Sequence, residues 1–170
     1  MVRRVVTGHD KAGRAIVASD TDVPPMETAM PGFDTYDIWG ADEELIFPDG
    51  GEKPAYSAFF PPRGGFRYLM FRIAPRAAPT EVSAGTGESN MAASAMVEIM
   101  AHEKPGMHKT ESVDMLFVHK GACHLELDNG KIVTLRAGDA AVQSGTLHAW
   151  SNPFDEECVA LAVMVSARQR

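Results

Sequence analysis

The chain has 170 residues, 16 lysines and arginines against 23 aspartates and glutamates, and a net charge of −7. That length suits one domain with a real core, and 45% hydrophobic with 23% charged residues argues against a disordered or fibrous chain. The acidic balance, without clustered Lys and Arg, argues against a nucleic-acid partner. The longest apolar run, 158–165, is far short of the about 20 residues that a membrane-spanning helix needs.

Two β-branched runs at 2–6 and 14–19 flank a polar stretch from Gly8 to Gly13 and predict an opening hairpin with a long loop. No signal-peptide apolar region follows Arg3-Arg4, so the expected location is the cytoplasm. Residues 20–32, with Pro24, Pro25 and Pro31, predict a loop or extended arm. Alternation predicts strands at 33–39 and 66–74, with a proline- and glycine-rich loop at 48–65 between them. Ser89-Asn90 ahead of near-helical spacing predicts a helix over 91–102, stopped by Pro105-Gly106. Short runs at 113–119, 122–127, 131–135, 140–143, 148–151 and 158–165 predict strands, with Asn129-Gly130 as a two-residue type I′ hairpin turn. This rhythm predicts an all-β antiparallel sandwich or barrel with one helical insertion. Cys123 and Cys158 lie in apolar runs without CxxC spacing, which suits buried free thiols or one disulfide.

The stretch from His108 to Gly121 (HKTESVDMLFVHKG) resembles the first cupin motif, and the stretch from Gly138 to Asn152 (GDAAVQSGTLHAWSN) resembles the second. Over residues 66–166 the chain is similar to a small single-domain cupin. The resemblance implies a cupin-type antiparallel β-barrel, the double-stranded β-helix or jelly roll. It implies one domain over 1–170, in which strands and an arm at 1–65 pack on or exchange with a barrel core at 66–166. His108 takes the place of the first motif histidine, Thr110 that of the second, and Asp114 that of the glutamate. Gly145, His148 and Asn152 match the second motif, whose proline is missing here. The implied catalytic and metal-binding set is therefore His108, Asp114 and His148, with Thr110, Trp150, Tyr68 and Gln143 in the substrate pocket. The implied cofactor is a divalent transition metal: Fe, Mn, Zn or Ni.

The chemistry of these residues supports two readings. Two imidazoles and a carboxylate with open positions form the facial arrangement of non-haem iron sites, and also suit Zn or Mn. Without a metal the same residues make an acid–base pair, in which Asp114 fixes the tautomer of His108 or His148 and raises its pKa. Trp150 either lines the pocket or fills core, and His9, His119 and His124 read as surface or structural residues. The expected function is a small-molecule enzyme of decarboxylase, lyase, isomerase/cyclase or dioxygenase type. The alternative is a non-catalytic binding cupin that has lost its metal site. Expected partners are a small-molecule substrate or ligand and a second copy of the chain in a homodimer, because Phe59-Phe60, Phe47 and Trp39 need cover. No membrane partner is expected.

Overall fold

Period-two burial along the longer strands decides which residues reach the core. The structure is a computed structural model that describes residues 1–26, 32–56, 58–77 and 104–168. Its strands are β1 (Val2–His9), β2 (Ala15–Val23), β3 (Phe33–Ala41), β4 (Phe66–Ile73), β5 (Ser112–Lys120), β6 (Ala122–Leu127), β7 (Ile132–Arg136), β8 (Ala140–Ser144), β9 (His148–Ser151) and β10 (Cys158–Ser166). β1 and β2 form a two-stranded ribbon, β3-β4-β10-β5-β8 a five-stranded sheet and β7-β6-β9 a three-stranded sheet, all antiparallel. Leu116, Val118, Ala160 and Ala162 of the large sheet meet Cys123, Leu125 and Leu135 of the small one in a single core cluster. Each fully buried side chain of Val or Leu size contributes about 1.5–3 kcal/mol by leaving water. The architecture is the all-β antiparallel barrel that the sequence predicts.

Three local expectations change. The helix predicted over 91–102 lies in 78–103, outside the described residues, and no helix occurs among the described residues. None there is long and apolar enough to cross a membrane. The loop expected from residue 20 begins later, because β2 runs on to Val23, opposite Val2. Asp20 and Asp22 sit opposite Val5 and Arg3 on an exposed ribbon, and Arg3 holds Asp20 in a bidentate pair at 2.8 Å. The turn after β6 is a three-residue loop and not type I′. Gly130 alone has positive φ (+80°), and the Asn129 side chain accepts the Lys131 N–H at 3.0 Å. Cys123 and Cys158 are free and fully buried.

The β1–β2 ribbon covers part of the outer face of the large sheet, where Val23 clusters with Tyr36 and Ile38, and Val2, Tyr68 and Met70 pack against that cluster. The rest of that face presents Met115, Phe117, Val142 and Val165, each at least 40% exposed. Between β3 and β4, the 42–65 loop crosses back over the barrel and brings Phe59 against Leu69 and Met164.

Candidate functional site

His108 and His148 are paired residues of an isolated antiparallel bridge, with the backbone N–H of each donating to the other's carbonyl at 2.9 Å. Directly opposed residues put their side chains on one face, and the imidazole centroids lie 4.4 Å apart, tilted by 48°. The ring orientation is fixed by backbone: His108 Nδ1 lies 2.9 Å from Gly106 O, and His148 Nδ1 lies 2.9 Å from Thr146 O. A carbonyl only accepts, so Nδ1 carries the proton in both rings and Nε2 carries the lone pair of the neutral form. His148 is 1% exposed. Burial pushes its pKa below the ordinary value, partly opposed by the bond to Thr146, so the ring is neutral at pH 7.

The turn behind these contacts requires glycine. Gly145 has φ +59°, and a Cβ there would come within 2.9 Å of Thr110 O. The next carbonyl, Thr146 O, receives both His148 Nδ1–H and, at 2.8 Å, the Gln143 amide. Gln143 sits opposite Asp114 in the β5–β8 register. The Asp114 carboxylate accepts from Ser112 Oγ at 2.5 Å and Thr110 Oγ1 at 3.2 Å. Burial pushes its pKa up, while these two hydroxyls and the nearby His108 pull the other way. Trp150, two residues along β9 from His148 and on the same face, meets that imidazole edge-on with centroids 5.8 Å apart.

His108, Thr110, Asp114, Gln143, His148 and Trp150 line one cavity of about 90 Å³ in the barrel, walled opposite by Phe33, Phe59, Phe71 and Met164. Of the residues expected at the site, His108, Thr110, Asp114, Gln143, His148 and Trp150 converge there. Tyr68 does not, because β4 turns it to the outer face, where it packs with the cluster of Val23, Tyr36 and Ile38. Asn152, a motif position, is structural: fully buried, it donates to Ile73 O and Glu156 O and accepts from Phe154 N–H, closing the turn between β9 and β10. Ser112 and the aromatic wall escaped sequence reasoning. The signal for Ser112 was its i, i+2 spacing to Asp114, which places both on one strand face. The signal for Phe59 was an aromatic pair inside a proline-rich loop.

The donor set does not match the three-ligand metal site that the motifs imply. The two imidazoles are oriented as ligands usually are, by backbone carbonyls at Nδ1. Asp114, however, spends its oxygens on Ser112 and Thr110. Among the described residues no group of three or more His, Cys, Asp or Glu is arranged to hold a metal ion.

Asp114 has a consequence for stability. Its folded pKa is raised, so it favours folding at low pH, and that contribution is lost as pH rises through the folded value. Asp114→Asn removes the ionisation; its amide oxygen still accepts from one hydroxyl, while its NH2 donates to the other hydroxyl's oxygen. Its thermal midpoint is expected to gain on the parent's as pH rises through the folded value of the parent carboxyl. Melting curves across that rise in pH check this, and a difference that does not change with pH contradicts it.

Part of the chain is similar to known proteins. Residues 95–164 match the family described as Cupin domain. A 46-residue stretch is 50% identical to the phomopsin biosynthesis cluster protein C′ of Diaporthe leptostromiformis, covering 27% of this chain and 24% of that protein. A 50-residue stretch is 42% identical to the oryzines biosynthesis cluster protein J of Aspergillus oryzae, covering 29% and 28%. The chain thus matches about a quarter of the length of these relatives. Among solved structures, the polyketide cyclase RemF from Streptomyces resistomycificus superposes with a TM-score of 0.49 at 17% identity, over 84% of this chain and 73% of that one. An RmlC-like cupin from Shewanella frigidimarina does so with a TM-score of 0.48 at 11% identity, over 87% of each. Both motif histidines, His108 and His148, lie inside the stretch that matches the Cupin domain model.

Proposed function

We propose that this chain is a small-molecule enzyme that moves a proton within its substrate, in the manner of an isomerase, cyclase or lyase. The observation that carries the reading is the His148 ring, neutral and buried, with Nδ1–H fixed on Thr146 O and its basic nitrogen in an otherwise largely apolar cavity. A base with a pKa near or below neutrality is available at working pH. Nε2 takes a proton from an acidic C–H or O–H, the imidazolium formed lies in the same cavity as the Asp114 carboxyl, and the proton returns to another atom of the substrate. Thr110 and Ser112 hold Asp114, and Gln143 holds the turn that orients His148. The assignment of two partial relatives to biosynthesis clusters supports a small organic substrate.

The direct test is α-proton exchange of 2-indanone, an uncharged ketone, in D2O followed by NMR. Saturable acceleration over buffer is expected. Binding of the ketone without acceleration overturns the catalytic reading in favour of a binding module, which the mostly apolar wall would also suit. We also propose a homodimer through the outer face bearing Met115, Phe117, Val142 and Val165, where β5, β8 and β10 leave an apolar strip in register. Light scattering is expected to give twice the chain mass of 18.4 kDa, and Phe117→Glu to halve it. A monomeric parent protein contradicts this.

A further inference from the structure

The cavity sorts its groups by position. Hydrogen-bonding groups gather where β5, β8 and β9 meet, as Thr110, Asp114, Gln143 and His148, while Phe33, Phe59, Phe60 and Phe71 make the opposing wall. No lysine or arginine lines it among the described residues. Of the residues outside the description, 27–31, 57, 78–103 and Gln169 contain none either, and Arg170 at the chain end is the one lysine or arginine among them. An anionic ligand entering this space would shed its water without meeting a fixed positive charge, and would face Asp114. Burying an unpaired carboxylate is among the costliest desolvations available. Resting on the barrel cavity as the functional site, we propose that the pocket selects uncharged molecules with a flat, ring-shaped apolar body, seated against the phenylalanine wall with a neutral hydrogen-bonding head toward His148 and Gln143.

The size agrees with this. At about 10–15 Å³ per water position, the cavity of about 90 Å³ has room for roughly six or more waters, the space of a small ring system. The wall is also specific for rings. Phe59 and Phe60 meet edge to face with centroids 5.0 Å apart, which leaves their π surfaces directed differently and gives a ring ligand both an edge and a face to contact.

The test is a pair of probes of the same shape and different charge, 4-methylbenzamide and 4-methylbenzoate. Each is titrated at neutral pH into the protein as purified, with methyl NMR signals of Ala160, Ala162 and Met164 as the readout. The amide is expected to bind at least ten-fold more tightly than the carboxylate. Phe60→Leu, at a half-buried position that tolerates the change, is expected to weaken the amide by about two- to ten-fold. Equal or tighter binding of the carboxylate, as a bound metal ion would also produce, overturns the proposal, as does an amide that leaves these methyls unmoved. Preference for the amide together with no proton exchange at 2-indanone would sink the catalytic reading and leave this one standing. Catalysed exchange with preference for the carboxylate would do the reverse.

Discussion

His148→Ala is expected to lower proton exchange at 2-indanone by about 10²–10⁴-fold, the span that a positioned general base supplies. The ring is held by its own strand's turn and by the bridge to His108, whose hydrogen bonds are all backbone. Removing the imidazole therefore takes away the base without taking away a strand contact. The far-ultraviolet circular dichroism should be unchanged, and the midpoint should shift less than for a change to the core. Asn at 148 should not restore exchange, because an amide nitrogen has no lone pair available for a proton. Exchange at the parent rate in His148→Ala would locate the base elsewhere, and His108 would be the next position to change.

Arg67→Met is expected to destabilise the protein by about 3–5 kcal/mol, a midpoint drop of roughly 6–20 °C. Arg67 is fully buried on β4, an outlier on a face that otherwise alternates with Leu69 and Ile73. Its guanidinium donates to Ala41 O and Phe66 O at 2.9 Å and to Ala58 O at 2.8 Å, pairs with Asp42, and stacks over the Tyr56 ring at 4.0 Å. Tyr56 in turn donates to Asp37, which also pairs with Lys53. Methionine matches the stem but leaves buried carbonyls without donors, so the cost is desolvation as well as lost bonding. Because Ala58 precedes Phe59 closely, loosening this clamp is also expected to weaken ring ligands. Arg67→Lys should recover only part of the loss, since one ammonium cannot span the same carbonyls. A loss under about 1 kcal/mol in Arg67→Met, measured by denaturant titration, would show that the clamp is dispensable.

What was legible in the sequence follows from period and from motif spacing. β5, β6 and β8 alternate along much of their length because one face meets the core, so Asp114 and Gln143 were readable from period, whereas β9 buries both His148 and Ala149 and His148 was readable from motif spacing. Tyr68 was misplaced because β4 has apolar residues on both faces. Leu69, Phe71 and Ile73 face inward while Tyr68 and Met70 lie under the β1–β2 ribbon, so alternation alone does not choose. The end of β2 was hidden by Asp20 and Asp22, which favour turns locally but here sit on an exposed ribbon and pair across it. The aromatic wall was invisible for a different reason. Phe59 belongs to a loop held by side-chain bonds, from Arg67 to Ala58 O and from Tyr56 and Lys53 to Asp37, which the sequence pattern does not carry. Asp114 was readable as a site residue, but its engagement by Ser112 and Thr110 is a matter of side-chain geometry that a motif does not carry.

The central claim is that His148 presents a neutral ring with the proton on Nδ1 and the lone pair on Nε2. Ring-nitrogen NMR of uniformly labelled protein measures this directly. The expected result at about pH 6.5, the ordinary midpoint of a histidine, is a protonated Nδ1 and an unprotonated Nε2 for His148, with titration only at lower pH. An imidazolium at that pH, or a neutral ring with its proton on Nε2, would contradict the account.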